Sequence, residues 1–300
     1  MIVAAFLALA QGPSGLRPDP PHTCADCDDW NRPREPFRVF GNTYYVGAAG
    51  VSALLITGNA GSILLDGGLP QTAPLVDASI RKLGFKTEDI KLIVNSHAHY
   101  DHAGGIAALQ RASGAAVAAS PAGKRAIEQG GPTPDDPQYA FGREANDFPA
   151  VKNVRAVADG ETVRVGDLAI TAHHTPGHTP GSTTWAWRAC DGPTCYNLVY
   201  ADSLNSVSAP AFRFTGGNGT PSIADTFRKS IAKVGALPCD IVIAVHPTAI
   251  DMDSKLALRR DAQRDPFLDP NGCRAYAAGA SSRLDERIAE EEMKKGPAPR

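Results

Sequence analysis

Short apolar runs separated by glycine-containing turns dominate the first third of the chain. Thr43–Val46, Ser52–Thr57 and Ser62–Asp66 are β-branched or aliphatic, broken by turns such as Asn59-Ala60-Gly61, and each predicts a strand. A helix is expected next, with Thr72 at its N-cap, Pro74 in the first turn, and Leu75, Ile80 and Leu83 on one face. Ile90–Val94 reads as a buried strand, Gly105–Ala112 as a helix, Ala116–Ala119 as a strand and Ala122–Gln129 as a helix. Gly130 to Val151 is rich in Pro, Gly, Asp and Asn and predicts a long loop of the kind that is usually functional or disordered. The strand pattern then restarts at Thr162–Val165, Leu168–His173, Thr183–Arg188 and Asn197–Ala201. A helix at Ser222–Val234, a strand at Ile241–Val245 and a helix at Arg274–Met293 follow. Strands followed by helices thus occur twice. That order argues for an α/β four-layer sandwich, two packed mixed sheets inside and helices outside.

Composition narrows the class of partner. The chain is 43% hydrophobic and 21% charged, with a formal net charge of -2, so no electrostatic argument favours nucleic acid. No apolar run reaches the roughly 18 residues of a membrane span. Met1–Ala10 is a short apolar run ending in Ala8-Leu9-Ala10, which fits a leader cleaved before Gln11, although it lacks a basic start. The alternative for that run is a frayed or buried strand. Residues 11–36 then form an arm, 37–293 a single domain and 294–300 a tail, with the Arg283–Lys295 charge run as a solvated helix face. Six cysteines agree with export, since oxidising compartments favour disulfides, but they allow fifteen pairings. Cys24-Ala-Asp-Cys27 precedes every strand signal and has no second such pair, which argues against a redox motif.

The chemistry concentrates at His97-Ala98-His99-Tyr100-Asp101-His102. A lone histidine is normally a satisfied core or surface residue, but three histidines and an aspartate just past a strand are a metal pattern. In extended backbone the i and i+2 side chains point the same way, so His97 and His99 reach one ion. Asp101 and His102 fall where the chain turns into a helix and reach a second. Imidazole with carboxylate and no thiolate suits catalytic zinc, iron or manganese. One short segment cannot surround two ions. His178, in Thr175-Pro176-Gly177-His178, and His246, before Pro247, each follow a strand end, where α/β sheets place their sites. His173 and His174 belong to a strand and are expected to pack or support, and His22 in the arm to be bland.

These motifs resemble the metallo-β-lactamase superfamily over nearly all of Phe37 to Met293. Gly41-Asn42-Thr43-Tyr44-Tyr45-Val46-Gly47, Ala201-Asp202-Ser203-Leu204 and Leu237-Pro238-Cys239-Asp240 resemble subclass B3 in particular. The resemblance implies two Zn2+ per chain, the first on His97, His99 and His178, the second on Asp101, His102 and His246. It implies an enzyme opening the amide bond of β-lactam antibiotics with a metal-bound hydroxide. With the leader-like run, the cysteines and the composition, the expectation is a monomeric, periplasmic or secreted protein with no nucleic-acid or membrane partner. Asp101 would be the catalytic carboxylate. Ser203 and Asn205 would contact the substrate carboxylate, although members often carry serine or threonine where Asn205 stands. Asp66 would support a ligand from behind or cap its own turn. Cys239 pairs with Cys273, and Cys190 with Cys195, by the same resemblance. Some members join an N-terminal cysteine to the Gly47–Gly50 loop, but Ala48-Ala49 stands there, so the state of Cys24 and Cys27 is open.

The alternative within the same fold is another dinuclear hydrolase, a glyoxalase-II-like thioesterase or a lactonase. Those enzymes commonly bridge their metals with an aspartate from a segment like Ala201-Asp202-Ser203, and spacing alone does not exclude Asp202 from that role. Export and the carboxyl-terminal cysteine pair argue against a cytosolic thioesterase. An iron electron-transfer member would carry glutamate at His99 and a flavin domain. A nuclease would want a basic face, and a binding module would have lost ligands.

Overall fold

The computed structural model describes residues 16–217 and 219–294. The expected leader, the start at Gln11 and residues 295–300 of the tail lie outside that range. Twelve strands form two sheets among the described residues. The first sheet runs in chain order: β1 (Phe37–Phe40), β2 (Thr43–Tyr45), β3 (Leu54–Gly58), β4 (Gly61–Leu65), β5 (Ile90–Val94), β6 (Ala116–Ala119) and β7 (Arg155–Ala156). The second holds β8 (Thr162–Val165), β9 (Leu168–His174), β10 (Thr183–Asp191), β11 (Thr194–Ala201) and β12 (Ile241–Ala244), ordered β12-β11-β10-β9-β8. Hairpins make the β1–β4 and β8–β11 pairings antiparallel, and crossovers through helices make β4–β5, β5–β6 and β11–β12 parallel.

Strand alternation builds the layers. Leu54, Ile56, Ile63, Leu65, Leu92 and Val94 face the second sheet, joining Val163, Ile170, Trp185 and Leu198 in one core. Their neighbours Leu55, Leu64, Ile93 and Val117 point the other way, onto Val76 and Ile80, Ile106 and Leu109, and Ile127. Those residues come from helices Ala73–Lys82, Ile106–Ser113 and Pro121–Gln129. Both faces of the first sheet are therefore buried, which is why its strands read as continuous apolar runs. Helices Ala224–Ala236 and Gly272–Met293 cover the second sheet with Phe227, Ile231, Ala277 and Leu284. The α/β four-layer sandwich follows.

Several boundaries moved. β1, the two-residue β7 and helix Met252–Arg259 lay outside the predicted elements, and β10 and β11 run to a tight hairpin closed by Cys190–Cys195. Cys239–Cys273 ties the loop leading into β12 to the last helix. Cys24 and Cys27 are bonded to each other, closing a turn in the arm. His22 is an anchor rather than a bystander: its ring stacks on Tyr100 at 3.9 Å, and its backbone exchanges two hydrogen bonds with Gln71.

Candidate metal centre

All six expected ligands come from chain just beyond strand ends, on one edge of the sandwich. After β5 the backbone remains extended at His99 (φ -101°, ψ 158°), which directs His97 and His99 to one side. The helical turn Tyr100–Ala103 begins immediately and swings Asp101 and His102 onto the adjoining position. His178 sits in the turn between β9 and β10, pinned where Thr175 N–H donates to the Ser182 carbonyl (2.8 Å). Gly177 is required there: its φ is 155°, and a Cβ would stand 2.1 Å from the Phe227 ring. His246 follows β12.

Donor atoms of His97, His99 and His178 lie within 4.8 Å of one another, as do those of His97, Asp101 and His102. His246 closes the second group. Its Nε2 is 3.2 Å from His102 Nε2 and 3.3 Å from Asp101 Oδ2, and those two atoms are 3.1 Å apart. A tetrahedral zinc with bonds of about 2.0–2.1 Å spaces its ligand atoms about 3.3–3.4 Å apart, so this triangle has the dimensions of one tetrahedral face. His97 Nε2 is buried with no hydrogen-bond partner, an arrangement that costs free energy unless something binds it. The residues fit metal ions.

The opposite nitrogen of four rings is committed. His97 Nδ1–H donates to Asp202 Oδ1 (2.7 Å), His178 Nδ1–H to the Asn205 carbonyl (2.8 Å) and His246 Nδ1–H to the Gly50 carbonyl (3.0 Å). Each therefore offers Nε2 inward. His99 is reversed: Nε2–H donates to Asp136 (3.2 and 3.3 Å), leaving Nδ1 for a metal. His102 Nδ1 is 3.8 Å from Asp66 Oδ2. Asp66 itself holds a left-handed φ of 61° because Ser96 N–H, Ser96 Oγ, Asn95 Nδ2 and Tyr200 OH all converge on it at 2.6–2.9 Å. It stands behind His102 at ion-pair distance without a hydrogen bond, and its donors come from the end of β5 and from β11 rather than from its own turn.

Burial and neighbouring charges together set the protonation of the cluster. His178 is pushed down to about 3 by desolvation and by the neighbouring His97 and His99, and His97 falls well below its usual value for like reasons. Both are neutral, as ligands must be. Burial would raise Asp101, but His102 and His246 outweigh it and hold the carboxylate well below its ordinary range. Burial raises Asp66 to about 6 against His102 and its hydrogen-bond donors.

The remaining expected residues fall as follows. Ser203 is buried beside Asp202, whereas the Asn205 side chain is exposed and only its carbonyl meets the cluster, through His178. His174 bonds Asp159 and the Val157 carbonyl, away from the six ligands. The long loop encloses a cavity of about 620 Å³ lined by Gln129, Pro132, Tyr139 and Arg143 and by none of the six. Sequence reasoning missed Asp136, the Gly50 carbonyl and Tyr276, whose OH donates to the Asp202 carbonyl at 2.8 Å. Asp136 and Gly50 lie in loops without a motif, and Tyr276 sits on the last helix, Gly272–Met293, where nothing in the sequence marks it as different from a packing residue.

Two adjacent donor sets of histidine and carboxylate at the edge of such a sandwich define a metallohydrolase. Residues 46–186 match the family model of the metallo-beta-lactamase superfamily. The chain is 49% identical to MEM-A1, a subclass B3 metallo-beta-lactamase isolated from a soil metagenome library. That match covers 89% of this chain and 100% of the other, with a TM-score of 0.85. It is 47% identical to the Rm3 metallo-beta-lactamase over 90% of this chain and 99% of that one, with a TM-score of 0.86. A hydroxyacylglutathione hydrolase of Anaeromyxobacter dehalogenans (strain 2CP-C) is 30% identical over 52% of this chain, a match spanning only 46% of that relative. The chain belongs to the metallo-β-lactamase superfamily and is similar to its subclass B3.

Proposed function

We propose that this chain is a zinc-dependent β-lactamase of the subclass B3 type, exported to the periplasm or beyond the cell and acting as a monomer. His97, His99 and His178 would hold one Zn2+, and Asp101, His102 and His246 the other. When bound, such ions would supply Lewis acidity and lower the pKa of bound water to about 7. The observation that carries the reading is the convergence of all six donors in a chain nearly half identical to a subclass B3 enzyme over that enzyme's whole length.

This chain's residues then perform the following. The four committed hydrogen bonds hold four of the five imidazoles each in one tautomer, so those rings present lone pairs inward without rearrangement. Asp101 turns Oδ2 toward His102 and His246, leaving Oδ1 to take the proton of the attacking water and pass it to the lactam nitrogen as the C–N bond breaks. Ser203 Oγ and Asn205 would bind and orient the substrate carboxylate. No serine nucleophile or acyl-enzyme is required. Nitrocefin should be hydrolysed by the zinc-loaded protein and not after full chelation; turnover by a metal-free chain refutes the reading.

One observation favours a second reading. Asp202 Oδ2 is buried with no hydrogen-bond partner, and Ala201-Asp202-Ser203 resembles the segment from which thioesterases of this fold supply a bridging carboxylate. On that reading the substrate is a thioester such as S-lactoylglutathione. Turnover of that compound well above nitrocefin would establish it.

A further inference from the structure

His99 Nε2 is the one ring nitrogen of the cluster committed to a carboxylate from the long loop. Asp136 is 5% exposed and lies 37 residues along the chain from His99. It is not free to leave without disturbing that loop. Its Oδ1 also accepts the Gln138 N–H (2.8 Å), and Asn146 Nδ2 donates to the Gln138 and Gly142 carbonyls (3.1 and 2.9 Å), so one turn of loop is built around it. The next residue, Pro137, accepts the Ala209 N–H at 2.9 Å. Ala209 belongs to the stretch whose first residue, Asn205, fixes His178 through its carbonyl. Two of the three histidines of the first cluster are therefore held by two loops that are bonded to each other.

We propose that Asp136 is a positioning residue for the first metal site and that it couples metal binding there to the docking of the 130–151 loop. A carboxylate only accepts, so it fixes the proton of His99 on Nε2 and presents Nδ1 to the metal. Because coupling free energy is reciprocal, an ion that draws on His99 Nδ1 strengthens the Nε2–H bond to Asp136 and so holds the loop. The inference rests on the metal-site reading and not on the identity of the substrate.

The test uses zinc itself as the probe on the full-length protein. In a chelator-competition titration, the binding step that His178→Ala removes identifies the first site. Asp136→Ala should weaken that step by about 10–100-fold. Asp136→Asn, whose amide oxygen still accepts from Nε2, should recover most of the loss. In hydrogen-exchange measurements on the wild type, zinc should slow the amides of residues 136–146, and the Ala variant should lose that protection. Wild-type affinity in folded Asp136→Ala, or loop exchange indifferent to zinc in the wild type, overturns the proposal. If the Ala variant does not fold, the wild-type exchange experiment decides alone. A chain that shows these couplings yet leaves lactams intact sinks only the proposed substrate.

Discussion

Replacing Asp202 separates the two readings of the site, because its two oxygens stand differently in the structure. Oδ1 accepts the His97 Nδ1–H at 2.7 Å with both side chains fully buried, and Oδ2 has no partner. If the carboxylate acts only through His97, Asp202→Ala leaves a buried N–H without an acceptor, a cost of about 1–3 kcal/mol. It also releases the tautomer that presents Nε2. Loss of such an outer carboxylate typically lowers metal affinity by about 10–100-fold, or about 1.4–2.7 kcal/mol. Asp202→Asn keeps an oxygen for Nδ1–H, so its loss should be under about tenfold, with two zinc ions still bound at saturation. If Oδ2 instead touches metal, the amide removes the bridging charge and the stoichiometry falls. Metal content by mass spectrometry and competition titration reads both quantities, and nitrocefin turnover reads the consequence. Unchanged zinc affinity in folded Asp202→Ala refutes the orienting role. A lost ion in Asp202→Asn refutes the lactamase-type arrangement and promotes the thioesterase reading.

Other consequences are open to measurement. Glu291 accepts Phe214 N–H, Thr215 N–H and Thr215 Oγ–H at 2.9–3.0 Å and pairs with Arg287; these donors outweigh burial and depress its pKa. A depressed carboxylate contributes stability above its unfolded pKa, about 4.3, and loses it as pH falls through the folded value. Glu291→Gln should therefore cost about 2–3 kcal/mol in urea unfolding at pH 7 and progressively less below pH 4; a gap that widens on acidification contradicts the sign. Opening Cys239–Cys273, which spans 34 residues, should cost about 4 kcal/mol, against about 2 for Cys190–Cys195, which spans five. Equal midpoint shifts for the two Cys→Ser pairs would break that ranking. Chelation should lower the melting midpoint, since zinc at a thousandfold excess over its Kd stabilises by about 4 kcal/mol; an unmoved midpoint argues that the cluster binds no ion. His97→Ala or Asp101→Ala should each cut nitrocefin turnover by orders of magnitude, and near-wild-type rates would remove them from the site.

The parts of this site that were legible in the sequence are those whose geometry is local. His97 and His99 share a side because two residues of extended chain repeat a direction, and Asp101 and His102 turn away because a helical turn begins at once. His178 and His246 could be added because both follow strand-like runs. The groups that decide the nitrogen each imidazole offers were not legible. Asp136 reaches His99 across 37 residues, Asp202 reaches His97 across 105, and the Gly50 carbonyl reaches His246 across 196. No periodicity reports such encounters. In the fold, the long apolar strands read correctly because both faces are buried, whereas the two-residue β7 and the helix Met252–Arg259, with Leu258 turned to solvent, carry almost no apolar signal. Cys24-x-x-Cys27 was ambiguous for the same reason as Asp136: its outcome depends on what the fold brings within reach, and here each cysteine meets only the other. The division has a functional consequence. Ligand residues specify that metal is bound, but the outer acceptors specify at which atom and how firmly, so relatives with the same six ligands can differ through loops the motif does not contain. The 130–151 loop is where this chain commits one such acceptor, and there a substitution far from the motif should change metal affinity.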